Sequence, residues 1–310
     1  MTMKHFISIH ETSADDINHI LDVAFQLREQ RNNGKANPPV LAGKTLAVYF
    51  AKPSLRTRVS FEQAMIELGG NAIMLSSNDA GIGVRESEHD VIKVLSGMVH
   101  GLAARVFEHD VLINLAKHSD IPIVNALSDY SHPCQALADI MTIVDEFGRE
   151  DLPNRTIAYI GDGNNVALSL AAICGKLGMR FVIASPPGYE LDGSFVDRIM
   201  SQLPDMDFEL TSDPMQAVHD ADVIYTDTWV SMGQEKEMEK RKQAFEGFQV
   251  NQVMLDYAPD HAIVLHCLPA HRGWEITDEV LDGPRSRVFP EAHNRLHAQK
   301  GLLAVLMGGM

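Results

Sequence analysis

The sequence predicts an α/β protein made of two three-layer domains with parallel sheets, joined by interdomain helices. Short apolar runs typical of buried strands alternate with helical patterns along most of the chain, and this alternation favours parallel strands with crossover helices. The length of 310 residues is sufficient for two such domains. A polar, helix-breaking stretch at 149–154 separates two alternating series. We therefore expect one domain over 1–148 and another over 149–290, with a helix at about 291–310 packing back on the first.

The first series begins with a helix and continues with alternating elements. Ser13 can cap a helix over 14–31, with Asp16 at the capping-box position. A long helix opens at Pro133, a residue favoured in a first turn, and runs to about Gly148. Between these two helices the predicted strands lie near 44–50, 71–75, 102–107 and 121–127, and the predicted helices near 57–68, 88–100 and 109–118.

The second series has the same alternation. Its predicted strands lie near 155–160, 180–184, 207–211, 222–227 and 262–268. The last helix, from about Glu291 to Met307, is predicted to be amphipathic and to present one apolar face to the first domain.

Composition narrows the class of protein. The net charge of −16 argues against nucleic acid as the main partner, because phosphate backbones select basic surfaces. Three cysteines, Cys134, Cys174 and Cys267, are too far apart for a Cys-x-x-Cys motif and indicate a reduced compartment. No apolar run is long enough for a membrane span, and the N-terminus has no targeting pattern. We expect a cytoplasmic protein without membrane contact.

The most informative stretch is Ser54-Leu55-Arg56-Thr57-Arg58, between a predicted strand and a predicted helix. A helix N-terminus offers free N–H groups and a positive dipole end, and arginine adds forked donors that match phosphate oxygens. The stretch predicts a phosphate site. The alternative is a simple N-cap with two solvated arginines.

A second motif, His132-Pro133-Cys134-Gln135, opens the long helix. An imidazole and a carboxamide one turn apart suit a small polar carbonyl ligand. The alternative is that His132 only caps the helix.

A third motif, His266-Cys267-Leu268-Pro269, ends an apolar strand, and loops at the carboxyl ends of parallel strands bind ligands. Pro269 could fix a turn that aims the Leu268 carbonyl at a ligand amino group. Cys267 is either a reactive thiol or a packing residue.

The fourth motif is Asp227-Thr228-Trp229-Val230-Ser231-Met232-Gly233, after the apolar run DVIYT. An acid followed by exposed N–H groups suits a zwitterionic amino acid. The alternative is a capped, flexible loop.

In this order and spacing, SLRTR, HPCQ, HCLP and the D-x-x-x-SMG loop resemble the aspartate/ornithine carbamoyltransferase family over essentially the whole chain. HCLP with SMG resembles its ornithine-specific members, and Arg295 matches an arginine of the family's final helix that reaches carbamoyl phosphate. The resemblance implies transfer of the carbamoyl group from carbamoyl phosphate to the δ-amine of L-ornithine, giving L-citrulline and phosphate. It implies no metal or organic cofactor, and a homotrimer or multiple of trimers with shared active sites.

The resemblance also implies roles for individual residues. The catalytic residues would be Arg105, His132, Cys267 and Asp227. Carbamoyl phosphate would be bound by Ser54, Leu55, Arg56, Thr57, Arg105, His132, Gln135, Cys267, Leu268 and Arg295. Ornithine would be bound by Asn165, Asp227, Ser231 and Met232. Arg58, although part of its motif, would support the loop structurally.

Two positions depart from the family pattern. Gly81 stands where members commonly carry a glutamine, in a loop that reaches the neighbouring subunit's site in the family. Either Arg85 supplies a positive group there instead, or it pairs with Glu86 or Glu88 in solvent. Leu168 replaces a commoner polar residue.

Alternative functions remain open on the sequence. Within the same class, the acceptor could be putrescine or an N-acylornithine, although His266 and Cys134 disfavour the latter. From another class, the run from Gly161 to Asn165 after a strand would suit an NAD-dependent dehydrogenase, but no acid for the ribose follows at the expected spacing.

Overall fold

The computed structural model describes residues 3–231 and 234–310. The chain divides into two compact units, the first comprising Met1–Met141 with His293–Met310 and the second Thr142–Ala292. In the part of the chain that is described, each unit contains one parallel β-sheet accompanied by helices. The predicted α/β class with two parallel sheets is confirmed.

The sheet of the first unit has the strand order β2-β1-β3-β4, with every neighbouring pair parallel. Its strands are β1 (Thr45–Phe50), β2 (Asn71–Ser76), β3 (Gly101–Arg105) and β4 (Ile123–Leu127). Phe50, the last residue of β1, pairs with Arg105, the last residue of β3. The parallel arrangement therefore brings the segments that follow β1, β3 and β4 to one edge of the sheet.

The sheet of the second unit has the order β7-β6-β5-β8-β9, again with parallel neighbours. Its strands are β5 (Thr156–Ile160), β6 (Arg180–Ala184), β7 (Phe208–Thr211), β8 (Val223–Thr226) and β9 (Ile263–Leu265). The prediction of a strand over 262–268 is wrong at its end, because β9 stops at Leu265. The segments after β5, β8 and β9 leave the same edge of three adjacent strands.

The helices follow the strands in alternation. They are α1 (Ala14–Asn32), α2 (Leu55–Glu67), α3 (Ser77–Ala80), α4 (Glu88–Ser96), α5 (His109–His118), α6 (Pro133–Phe147), α7 (Asn165–Leu177), α8 (Gly193–Gln202), α9 (Pro214–Val218), α10 (Met238–Ala244), α11 (Gln252–Tyr257), α12 (Asp278–Leu281) and α13 (Val288–Leu306). The chain passes from one unit to the other within α6 and within α13. Among the described residues, no helix is long and apolar enough to cross a membrane.

Two predictions about helices, the cap of α1 and the amphipathic character of α13, can be compared with the structure. The Ser13 cap is confirmed, because its side chain accepts a hydrogen bond from the backbone N–H of Asp16. The prediction of an amphipathic last helix is wrong. From Arg295 onwards α13 is buried on almost all sides, and its polar residues, including Gln299 and Lys300, are as inaccessible as its leucines.

In the core of the second unit, a tyrosine of the central strand β5 contacts both the neighbouring strand β8 and the loop that follows β5. Tyr159 on β5 stacks on Tyr225 on β8, with ring centroids 5.5 Å apart. The hydroxyl group of Tyr159 donates to Asn164 Oδ1 at 3.2 Å. The aromatic core therefore supports the loop that follows β5.

Candidate active site

The SLRTR motif occupies the N-terminus of α2. Ser54 is its N-cap: the hydroxyl oxygen accepts from the Thr57 N–H at 3.4 Å, and the hydroxyl donates to Thr57 Oγ1 at 3.0 Å. Arg56 is half-buried and Leu55 is exposed. Arg58 is also exposed, and its Nε lies 4.0 Å from Glu62 Oε2, one turn along the helix; its structural support of the loop stays a prediction.

Arg105 and His132 both belong to the first unit, and both are buried. Arg105 is the last residue of β3, and His132 immediately precedes α6. Burial lowers the pKa of His132 well below its usual value, and the positive charges of Arg295, Arg105 and Arg56 lower it further. His132 is therefore neutral near pH 7 and keeps one ring N–H as a donor.

Arg295 connects the motifs of three helices. Its Nη1 donates to Gln135 Oε1 at 2.7 Å, and its Nη2 donates to Thr57 Oγ1 at 3.4 Å. The side chain is buried, so both bonds are shielded from water. Helices α2, α6 and α13, far apart in sequence, thus contribute to one cationic cluster in the first unit.

In the second unit, Asp227 follows β8 and is the centre of a polar cluster. Its Oδ1 accepts from the Cys267 thiol at 3.1 Å, and its Oδ2 accepts from Asn164 Nδ2 at 2.9 Å. Asn164 is also the N-cap of α7, and its Oδ1 accepts from the backbone N–H groups of Val166 and Ala167. Cys267 and Asp227, which are both predicted to be catalytic, are therefore in direct contact.

Asn164 was missed by the sequence reasoning, which selected its neighbour Asn165. The structure places Asn165 as the first residue of α7, half-buried. The available signal was the position of Asn164, because an asparagine directly before a helical pattern is a favoured N-cap.

The HCLP segment is a loop held by two buried acids. His266 Nδ1 accepts from the Leu268 N–H at 2.9 Å, and His266 Nε2 contacts Glu275 Oε1 at 3.2 Å. The His266 backbone N–H donates to Glu291 Oε2 at 2.8 Å. Because Nδ1 is the acceptor, Nε2 carries the ring hydrogen and donates to Glu275 Oε1.

Leu268 is held in a left-handed conformation with φ of 57°, followed by a cis bond to Pro269. Such a φ is uncommon outside glycine and occurs where surrounding contacts impose it. Here the bond from the Leu268 N–H to His266 is one of those contacts. Glu275 and Glu291 gave no recognisable signal in the sequence.

The segment after Asp227 is tied to the loop after β5. The Ser231 N–H donates to Gln234 Oε1 at 3.0 Å. Arg241 Nη1 donates to the Trp229 carbonyl at 3.0 Å and to Asp162 Oδ2 at 2.9 Å. Met232, predicted to bind ornithine, lies outside the described residues, as does Gly233.

The loop after β5 is filled by the protein's own chain. A Cβ placed on Gly163 would lie 2.4 Å from the Leu191 backbone nitrogen. The Asn164 amide is engaged with Asp227. This packing disfavours the dehydrogenase alternative, which needs open space beside the second glycine for a pyrophosphate.

One group of possible metal ligands occurs among the described residues. Ligand atoms of Asp227, His266 and Cys267 lie within 4.8 Å of one another. Both His266 ring nitrogens are already hydrogen-bonded, to Leu268 and to Glu275. Metal binding would therefore compete with the bonds that hold the loop.

The two departures from the family pattern have local explanations. Gly81 ends α3 with φ of +50°, and a Cβ there would approach Arg85 Cβ to 2.9 Å. Arg85 Nη2 donates to the Asp79 carbonyl at 3.0 Å and to Glu86 Oε1 at 3.2 Å. Leu168 is buried in α7.

Comparison with known proteins agrees with the motifs. Residues 4–145 match the aspartate/ornithine carbamoyltransferase carbamoyl-P binding domain, and residues 153–306 match the Asp/Orn binding domain. The chain is 48% identical over 304 residues to the ornithine carbamoyltransferase of Methanosarcina acetivorans, covering 98% of this chain and 99% of that protein. It is 46% identical over 306 residues to that of Anoxybacillus flavithermus, covering 98% and 96%.

A solved structure extends the comparison to the fold. The ornithine carbamoyltransferase from Pyrococcus furiosus matches with a TM-score of 0.95 and 46% identity, covering 99% of this chain and 98% of that one. Since both the sequence and the fold agree over nearly the whole length, the chain belongs to the aspartate/ornithine carbamoyltransferase family.

Proposed function

We propose that this protein is an ornithine carbamoyltransferase, which converts carbamoyl phosphate and L-ornithine into L-citrulline and phosphate in arginine biosynthesis. The observation that carries the proposal is the cluster in which Arg295 bonds Gln135 and Thr57, because it joins three family motifs around one anion-binding helix N-terminus. The relatives named ornithine carbamoyltransferase, at 46–48% identity, support the choice of ornithine over aspartate.

The two units divide the substrates between them in this proposal. The first unit binds carbamoyl phosphate through Ser54, Leu55, Arg56, Thr57, Arg105, His132, Gln135 and Arg295. The second unit contributes Cys267 and Leu268 to the carbamoyl group. It binds ornithine through Asn165, Asp227, Ser231 and Met232. The family domain descriptions, carbamoyl-P binding and Asp/Orn binding, support this division.

The residues proposed to bind the phosphate group suit a dianion that becomes the leaving group. Arg56, Arg105 and Arg295 provide permanent positive charge, and Thr57 lies at the positive end of the α2 dipole. Neutral His132 donates a hydrogen bond to the carbonyl oxygen without adding a fourth cation. Arg105 and His132 then form an oxyanion hole for the tetrahedral intermediate.

The reaction itself is an acyl transfer. The neutral δ-amine nitrogen of ornithine bonds to the carbonyl carbon, and the carbonyl π electrons move to the oxygen. When the intermediate collapses, the bond between carbon and the phosphate oxygen breaks, and its electron pair leaves with phosphate. The departing phosphate takes a proton from the amine. An alkyl amine has a pKa of about 10.4, so the site must select its neutral form.

Asp227 and Cys267 orient the amino acid. Asp227 is an acceptor for the ornithine α-ammonium group, and its contact with the Cys267 thiol at 3.1 Å holds that thiol beside it. Together they direct the δ-amine. Catalytic function is therefore assigned to Arg105, His132, Asp227 and Cys267.

We extend the proposal to assembly and location. Exposed apolar side chains of the first unit, including Leu55, Val59, Ile66 and Met98, support burial against other copies in a homotrimer. Arg85, exposed beside Glu86, stays a candidate for contact with a neighbouring subunit's site. Three free cysteines support a cytoplasmic location. Light scattering tests the assembly: a monomer would contradict it.

One assay tests the proposed activity. Product formation from carbamoyl phosphate is measured with ornithine, N-acetylornithine, putrescine and aspartate under identical conditions. We expect ornithine to be preferred by at least about 100-fold in kcat/KM, which corresponds to about 2.7 kcal/mol. Preference for putrescine or N-acetylornithine would replace the proposed acceptor, and absence of carbamoyl transfer to any acceptor would refute the function.

A further inference from the structure

Asp139 is a buried acid in contact with Gln135, one of the residues proposed to bind carbamoyl phosphate, and it belongs to none of the motifs used above. It lies on α6 one turn after Gln135, and Gln135 Nε2 donates to Asp139 Oδ1 at 2.8 Å. Asp139 is 0% exposed and Gln135 1% exposed. A carboxyl group is costly to bury, so its hydrogen-bond partners decide what it does here.

The opposite end of the same amide is held by a cation. Arg295 Nη1 donates to Gln135 Oε1 at 2.7 Å. A guanidinium group has donors only, and Asp139 Oδ1 accepts from the Gln135 amide here. The amide of Gln135 therefore has one orientation that satisfies both neighbours, with oxygen towards Arg295 and NH₂ towards Asp139. Rotating it by half a turn would oppose donor to donor and acceptor to acceptor.

We infer that Asp139 is a positioning residue that fixes the Gln135 amide with its oxygen towards the carbamoyl site, and thereby makes the enzyme select a substrate amino group. The inference rests on the proposed function. A carbonyl oxygen has two lone pairs, so Oε1 can accept an N–H of the carbamoyl group in addition to the Arg295 N–H. Without Asp139 the NH₂ of Gln135 would be buried without this acceptor, and the side chain would turn away.

The consequence is discrimination between acyl phosphates. Acetyl phosphate has the same phosphate and carbonyl as carbamoyl phosphate, with a methyl group in place of NH₂. A methyl group facing a fixed buried acceptor loses a hydrogen bond that is worth about 1–3 kcal/mol, or roughly 5- to 150-fold in affinity. The ratio of the two dissociation constants therefore reports on the orientation of Gln135.

The test compares two substitutions at Asp139 by calorimetric titration of each acyl phosphate without ornithine. Asp139→Leu removes the acceptor, and we expect the affinity ratio to fall at least about fivefold. Asp139→Asn removes the charge and keeps an oxygen that can accept, so the ratio should stay within about twofold of the parent. Asp145→Asn, at an exposed position of the same helix, is the control for charge.

Two outcomes would overturn the inference. One is an unchanged ratio in Asp139→Leu. The other is an equal fall in Asp139→Asn and Asp139→Leu, because that result would make Asp139 a counter-charge for the arginines. The parent's citrulline assay separates these failures from a failure of the proposed function, since it does not depend on Asp139 variants.

A charge swap keeps the test decisive where Asp139→Leu does not fold. Gln135→Glu places a carboxylate where the amide donates at 2.8 Å, so it opposes Asp139. Adding Asp139→Asn supplies a donor to the new carboxylate. We expect the double variant to recover at least half of the melting temperature lost by Gln135→Glu alone. No recovery would contradict a direct contact between the two side chains.

Discussion

Removing the Glu275 side chain tests how the HCLP loop is held. Glu275 Oε1 accepts from two donors, the His266 ring at 3.2 Å and the His271 backbone N–H at 2.5 Å. Glu275 and His266 are both 0% exposed. In Glu275→Ala the buried ring N–H and the partly buried backbone N–H lose their acceptor, at about 1–3 kcal/mol each.

The expected magnitude follows from those two bonds. We expect Glu275→Ala to lower the free energy of unfolding by about 2–6 kcal/mol. At about 2–4 °C per kcal/mol this lowers the melting temperature by roughly 4–24 °C. Since the His266 ring also holds the Leu268 N–H, the loop that carries Cys267 is expected to shift. A displacement of about 1 Å in a reacting group lowers kcat/KM by about 100-fold.

Two variants make this prediction specific. Glu275→Gln keeps an oxygen in the Oε1 position and should lose no more than about 1 kcal/mol. Glu279→Ala removes an exposed glutamate from the following helix and should match the parent. Calorimetric unfolding and citrulline formation are measured for all three. Equal stability and equal kcat/KM in Glu275→Ala and Glu279→Ala would refute the reasoning. Equal losses of stability in Glu275→Ala and Glu275→Gln would show that the hydrogen-bond acceptor at Oε1 does not stabilise the loop.

Three further predictions concern charge. Arg105→Ala should lower turnover by at least about 10²–10³ while the protein stays folded, because its charge serves the oxyanion and not the core; turnover within tenfold of the parent at saturating substrates would contradict it. Asp227→Asn should weaken ornithine binding and leave carbamoyl phosphate binding nearly intact, which titration of each substrate measures; loss of the carbamoyl phosphate signal would contradict the assignment. Burial and the charges of Lys300 and Arg28 lower the pKa of His297 from 6.5 to about 3, so the unfolded chain binds a proton there first, and stability is lost as pH falls below 6.5. His297→Gln should show a smaller fall in melting temperature between pH 7 and pH 5 than the parent, and equal falls would contradict this.

The fold class and much of the site could be predicted from the sequence, because the signals are local. The SLRTR cap depends on β1, α2 and the four residues between them, which are contiguous in the sequence. Asp227 was recognisable because it directly follows an apolar run. Ornithine specificity was also predicted from short motifs, because HCLP and SMG are each contiguous in the sequence.

Other features depended on neighbours that are distant in sequence. Acidic residues are usually exposed, so nothing local marks Glu275, Glu291 or Asp139 as buried. Only the fold places each of them next to a buried hydrogen-bond donor. Asn164 contacts Asp227 because β5 and β8 are neighbours in the sheet, which places the N-cap of α7 beside the residue that follows β8.

The last helix, α13, shows most clearly the difference between what local sequence predicts and what contacts between distant residues impose. Its polar residues predicted a solvated face, yet Lys300 Nζ is fully buried and donates to Asn37 Oδ1 at 2.6 Å and to Glu67 Oε2 at 2.7 Å. The local pattern is enough to predict that a helix forms here and that it carries Arg295. The burial of its polar residues follows from the tertiary fold, because a buried charge needs partners, and those of Lys300 lie more than two hundred residues away, where no local pattern encodes them.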